Sequence, residues 1–149
     1  MDDTLTRMTE LWRQGYFCSQ ILMRMGLDLQ GHDNPQLMRA MNGLAGGLGF
    51  TGELCGALTG GACLLGLYAG KGKDEDEENL RLNFMIGDLV AWFKNGYGQE
   101  YGGIRCDEIL AGSPNNQAIR CPIMVTGTLQ KVKELLIENG FDLAGPDDD

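Results

Sequence analysis

The chain has one histidine in 149 residues, four prolines and 7% aromatic residues. With so little imidazole, no serine–histidine–acid set is available, and neither a phosphate loop nor paired carboxylates can be picked out. A hydrolase or kinase reading therefore has no residues to rest on. Positive charge is also scarce: 12 Lys and Arg stand against 21 Asp and Glu, a net charge of −9 with a pI near 4.5. The basic residues are scattered, so no phosphate-tracking surface is expected and nucleic acid is a poor partner. Alternating strand patterns are few, which points to an all-α fold. Secretion is not expected either, since Met1-Asp2-Asp3-Thr4 is acidic where a leader would carry basic and then apolar residues, and a cytoplasmic location is expected. The uncharged run Leu54 to Gly70 is 17 residues with five glycines, short and poorly lipophilic beside the ~20 apolar residues of a membrane span, so none is expected.

What is plentiful is glycine, at 23 residues, together with five cysteines. The length suits one domain burying about two-thirds of its unfolded surface, so residues 1–149 are read as a single compact helical bundle with an acidic tail at 146–149. Its centre is Gly46-Gly47-Leu48-Gly49-Phe50-Thr51-Gly52-Glu53-Leu54-Cys55-Gly56, a glycine-rich turn opening into a helix that is apolar on nearly every side. Thr51 is expected to cap that helix and Glu53 to sit in its first turn. Cys55 would then face unpaired backbone N–H groups and the positive end of the helix dipole, which lowers a thiol pKa. Interior glycine costs about 0.5–1 kcal/mol against alanine, so the spacing Gly52, Gly56, Gly60 and the spacing Ala62, Gly66, Gly70 imply close helix packing, a ligand against the backbone or a homodimer contact.

In chain order, Asp3 to Gln14 reads as a first helix with Leu5, Met8, Leu11 and Trp12 on one stripe. A second helix carries Cys18 near its start and ends at Gly26, and a polar connection from Asp28 to Asn34 contains His32, read as a solvent-facing loop residue. Asn34-Pro35 opens a helix running to about Leu44. Lys71 to Glu78 is a charged, exposed turn without calcium-loop spacing, followed by a helix with Leu80, Phe84, Ile86, Leu89, Val90 and Phe93. A second glycine-rich loop spans Gly96 to Gly103. Cys106 heads a short helix, Asn115 to Arg120 is a connection, and Cys121-Pro122 opens the last helix, which Gly140 stops.

Gly46-Gly47-Leu48-Gly49, Cys55-Gly56-Ala57-Leu58-Thr59-Gly60 and Leu65-Gly66-Leu67, with Cys18, Cys106 and Cys121 in the matching order, resemble the redox-active family named for its C-GCAxxG-C-C cysteine arrangement. The resemblance extends from about Leu5 to Phe141. It departs at Leu54, which stands where a second cysteine would make a C-C pair. It implies that Cys18, Cys55, Cys106 and Cys121 meet in space and do redox chemistry, and a related domain looks to be present in a cluster-bearing cytochrome.

All four of these cysteines fall near expected helix N-termini, an arrangement that would form an anion-binding nest for thiolates. Cys63 lies eight residues past Cys55, too far along a helix for a disulfide, and is expected to be a small buried hydrophobe. Three readings remain open. The first is an iron–sulfur centre for electron transfer held by the four cysteines, with Gly47, Gly49, Gly52 and Gly56 supplying backbone donors to it. The second is a thiol–disulfide redox protein cycling cysteine pairs without metal, and the third is a structural zinc site or scaffold. Separations of 37, 51 and 15 residues contain no C-x-x-C, which weakens each of the first two. A redox partner protein is implied by either.

Overall fold

The computed structural model describes residues 3–145; the acidic tail expected at 146–149 lies outside them. Among the described residues the fold is helical, with seven principal helices and a lone antiparallel bridge between Leu54 and Arg105. They are α1 (Asp3–Arg13), α2 (Cys18–Gln30), α3 (Pro35–Met41), α4 (Gly56–Ala69), α5 (Arg81–Phe93), α6 (Cys106–Leu110) and α7 (Asn115–Glu138). The all-α expectation holds.

The apolar α4 is the centre, packed by α2, α5 and α7. Leu58, Leu64 and Leu65 on α4, Ile21 and Leu22 on α2, Leu89 and Phe93 on α5 and Val125, Leu129 and Val132 on α7 are all buried together. Gly60 is where α4 meets α2: a Cβ there would lie 2.8 Å from Ser19 Cα. On the opposite face a Cβ at Gly61 would lie 2.7 Å from Thr128 Cγ2 of α7. The missing side chains thus let two helices approach one α4 backbone from two sides. The buried Ser19 and Gln20 of α2 are satisfied by carbonyls of α3, with Ser19 Oγ donating to Met41 O at 2.8 Å and Gln20 Nε2 to Met38 O at 3.1 Å.

Four expected boundaries move. Helix α2 does not stop at Gly26 but continues to Gln30 and ends at Gly31, in the left-handed conformation at φ 70°. Gly26 is a packing residue, since any side chain would collide with Leu64 Cδ1. The segment Gly96 to Gly103 is not an open loop, because α5 passes through a π turn at Lys94–Gly98 and a short helical turn at Gln99–Tyr101 before Gly102 terminates it. Thr51 does not cap α4; Cys55 itself is the N-cap and Glu53 lies before the helix. Asn115 to Arg120 is helical, so Pro122 sits inside α7. His32 is exposed just beyond α2, as expected.

Within α4, Gly60 and Gly66 make opposite predictions. A Cβ at Gly66 meets nothing within 4 Å, so Gly66→Ala is expected to stabilise the protein by about 0.5–1 kcal/mol through helix propensity alone. Gly60→Ala gains the same propensity but must push α2 away, at an overpacking cost of about 1–3 kcal/mol, and is expected to be net destabilising. Urea unfolding of the two variants checks the sign of each.

Candidate functional site

The glycine-rich turn before α4 is left-handed for almost its whole length. Gly46, Gly47, Leu48, Gly49, Phe50 and Gly52 all have φ between 62° and 79°, a conformation costing roughly 1–2 kcal/mol at each non-glycine residue. It is held by Gly52 N–H donating to Gly46 O at 3.1 Å and Glu53 N–H to Gly47 O at 3.0 Å. The Thr51 hydroxyl, expected at a helix cap, donates to Gly47 O and Leu48 O instead. No side chain is tolerated at Gly47, where a Cβ would lie 2.9 Å from Cys106 Cβ and closer still to the Glu53 backbone.

This turn sets residues 52–55 antiparallel to residues 104–107. Cys55 N–H donates to Ile104 O at 3.0 Å, Cys106 N–H to Glu53 O at 2.6 Å and Asp107 N–H to Gly52 O at 3.3 Å. Arg105 reinforces the pairing with contacts to Glu53 at 3.5 Å and Asp107 at 3.2 Å. Cys55 and Cys106 are brought together as the starts of α4 and α6. Cys18, the first residue of α2, joins them because α2 abuts the glycine face of α4: its Cβ would lie 3.8 Å from a Cβ at Gly56. Cys121 reaches the same place from the buried face of α7.

All four cysteines line one cavity of about 320 Å³. Phe17, Phe50, Leu110 and Met124 make its apolar wall, and Asp107, Ser113 and Gln117 add polar groups. Phe17 and Phe50 meet edge to face with centroids 5.1 Å apart. Of the glycines expected at a cofactor, Gly52 and Gly56 line the cavity, Gly47 packs behind Cys106, and Gly49 has open space beside it. Gly46 and both phenylalanines were not among the expected site residues; Phe50 inside the glycine run was the available signal, as a large apolar residue in a turn.

The sequence model of the family described as "Putative redox-active protein (C_GCAxxG_C_C)" matches residues 16–135. The chain belongs to this family. No curated protein and no solved structure matches it. The matched span runs from just before Cys18 to past Cys121, so it contains every thiol of the cavity.

Three expectations about the thiols need correction. Three of the four sit at helix starts, but Cys121 lies within α7, its segment being helical from Asn115. Helix starts also fail to acidify the thiols. Burial pushes Cys55 up to about 12, against the smaller pull of the Ala57 and Leu58 amides. Cys106 is raised by burial and then by the neighbouring Cys121 and Asp107. Cys18 and Cys121 interact thiol to thiol: the Cys18 S–H donates to Cys121, raising Cys18 well above the ordinary thiol range and lowering Cys121. Cys121 is the sulfur on which a thiolate forms most readily. Cys63, expected to be buried, is exposed on the outer side of α4.

Among the described residues no three His, Cys, Asp or Glu side chains are gathered closely enough to hold a metal ion. A tetrahedral zinc with Zn–S near 2.3 Å needs sulfurs about 3.8 Å apart. Among the described residues no helix is long and apolar enough to cross a membrane.

Two measurements follow from the thiol environments. In the folded, reduced protein, N-ethylmaleimide is expected to label Cys63 first and Cys106 next, with Cys55, only 3% exposed, last; peptide mass spectrometry over time reads the order. As pH rises, the unfolded chain gives up the Cys55 proton near 9.0 while the folded chain keeps it until about 12. Stability present below pH 9 is therefore lost across that window. Thermal melts under reductant between pH 8 and 11.5 should show this fall, and it should be shallower in Cys55→Ala.

Proposed function

We propose that this chain is a thiol–disulfide redox protein whose working pair is Cys18 and Cys121. The observation that carries the reading is the thiol–thiol contact between the start of α2 and the buried face of α7, inside a cavity open to small molecules. Oxidation removes the two thiol protons and two electrons and joins the sulfurs; a disulfide of low molecular mass or on a partner protein is the balancing acceptor, becoming two thiols. Because Cys18 donates its S–H to Cys121, a charge is better supported on Cys121, which favours Cys121 as attacking thiolate and Cys18 as the thiol that resolves the mixed disulfide. Cys55 and Cys106, held high by burial, act as a reserve of neutral thiol beside the pair.

A second reading, an iron–sulfur centre, is favoured by a different observation: four thiols from four helices around a space of about 320 Å³, wide enough for a group larger than a single ion. Cys18, Cys55, Cys106 and Cys121 would hold it, and it would supply one-electron transfer. The residues alone would exclude bulk water through Phe17, Phe50 and Met124, and Gly52 and Gly56 would bring main chain near the sulfurs.

The two readings separate cleanly. Protein purified without oxygen and treated with diamide is expected to lose two hydrogens and yield a Cys18–Cys121 disulfide in peptide mass spectrometry. Cys18→Ser and Cys121→Ser should abolish it, and Cys63→Ser should leave it intact. Brown protein containing iron and acid-labile sulfide in simple ratio to chain would replace this reading with the second.

A further inference from the structure

We propose that the cysteine cavity is a substrate pocket for small uncharged disulfides, and that it selects against anionic ones. The inference rests on the thiol–disulfide reading and names its substrate class. Its observations are the size and the lining of the cavity. At about 320 Å³ the space is at the lower end of small-molecule pockets, room for a ligand on the scale of two side chains. Its wall is dominated by Phe17, Phe50, Leu110 and Met124 together with the thiols.

Among the described residues neither lysine nor arginine lines it, and the one acidic or basic side chain that does is a carboxyl, Asp107. The nearby Arg105 is committed to Asp107 and Glu53. An anionic disulfide entering this space would leave water without a cation to meet it and would stand beside a like charge. A neutral one loses little hydration and covers apolar surface.

The chemistry balances within the pocket. A thiolate of the Cys18–Cys121 pair bonds to one sulfur of R–S–S–R, the substrate S–S bond breaks, and the first R–S⁻ leaves, taking a proton to become R–SH. The second cysteine, as thiolate, attacks the protein sulfur of the mixed disulfide and expels the second R–S⁻, which takes the other proton. Two protein thiols and one substrate disulfide become one protein disulfide and two R–SH.

Phe50 forms the rim of this pocket: 61% exposed, at φ 63°, with its ring against Phe17. A large apolar side chain held in a disfavoured backbone conformation at a cavity mouth fits a role in covering a bound apolar group.

The test is single-turnover oxidation of the anaerobically reduced protein by bis(2-hydroxyethyl) disulfide, which is neutral, by dithiodiglycolate, a dianion of similar size, and by insulin. All are run in 0.5 M salt, where a Debye length of about 4 Å removes the general repulsion from the net charge of −9. The neutral disulfide is expected to react at least tenfold faster than the dianion and faster than insulin. Gln117→Trp, which fills the cavity from α7, is expected to slow the neutral disulfide at least fivefold, while Cys63→Ser, outside the cavity, is expected to leave that rate within twofold. Equal rates for neutral and dianionic disulfides, or a faster reaction with insulin, would overturn the substrate assignment while a Cys18–Cys121 disulfide still formed with diamide. Failure of diamide to form that disulfide would instead remove the reading beneath it.

Discussion

The contact on which the rest depends is the seating of the first turns of α2 on the glycine face of α4. Gly56 and Gly60 leave no side chain between the helices, so Cys18 and Ser19 lie directly against the α4 backbone. This is a backbone-to-backbone approach, and it cannot be relaxed by a rotamer change. It fixes Cys18 beside Cys55, and because Ser19 and Gln20 also bond the carbonyls of Met38 and Met41, it holds α3 and the left-handed turn that follows. The third thiol depends on the same seating through that turn, whose residues Gly52 to Cys55 pair with the segment carrying Cys106.

The energetic terms around the thiols oppose one another, and their magnitudes decide the outcome. A helix N-terminus favours an anion by about 0.3–1 kcal/mol, rising to ~2 in partly buried geometry. The rise of Cys55 from 9.0 to about 12 corresponds to roughly 4 kcal/mol against its thiolate. Burial wins, and the site rests as neutral thiols. Cys121 escapes because a neighbouring S–H, not a helix end, supports its charge. Negative charge is thereby favoured on one sulfur, although all four share one cavity.

Much of this was legible in the residues. The apolar run after Cys55 with its small-residue spacing marked a central buried helix, and Asn34-Pro35 marked a helix start that the structure reproduces. The misreadings have physical causes. Proline is at home in a first helical turn, so Cys121-Pro122 looked like a helix beginning, yet Asn115 to Arg120 continues the same helix upstream. The same ambiguity applied to Gly26, where a stop signal and a close helix crossing look alike until the neighbour, Leu64, is known. Cys63 was unreadable because α4 has no polar face, so periodicity could not say which side met solvent. The apolar wall of the cavity escaped for a similar reason: Phe17 and Met124 are far apart in sequence, and only the fold brings them to one space.

The strained turn and the apolar wall belong to one argument about selectivity. Six positive-φ residues in a row of seven are an expensive way to connect two helices, and a flexible loop would have served if connection were the only need. What the conformation accomplishes is to press Gly47 against Cys106 and carry Phe50 out over the thiols, with Phe17 as its support. A cavity built this way has a largely apolar wall, and among the described residues its one acidic lining side chain is Asp107. Access to buried, neutral thiols is then governed by size and by the hydration of the incoming molecule, which is why charge on a disulfide should matter more here than its intrinsic reactivity.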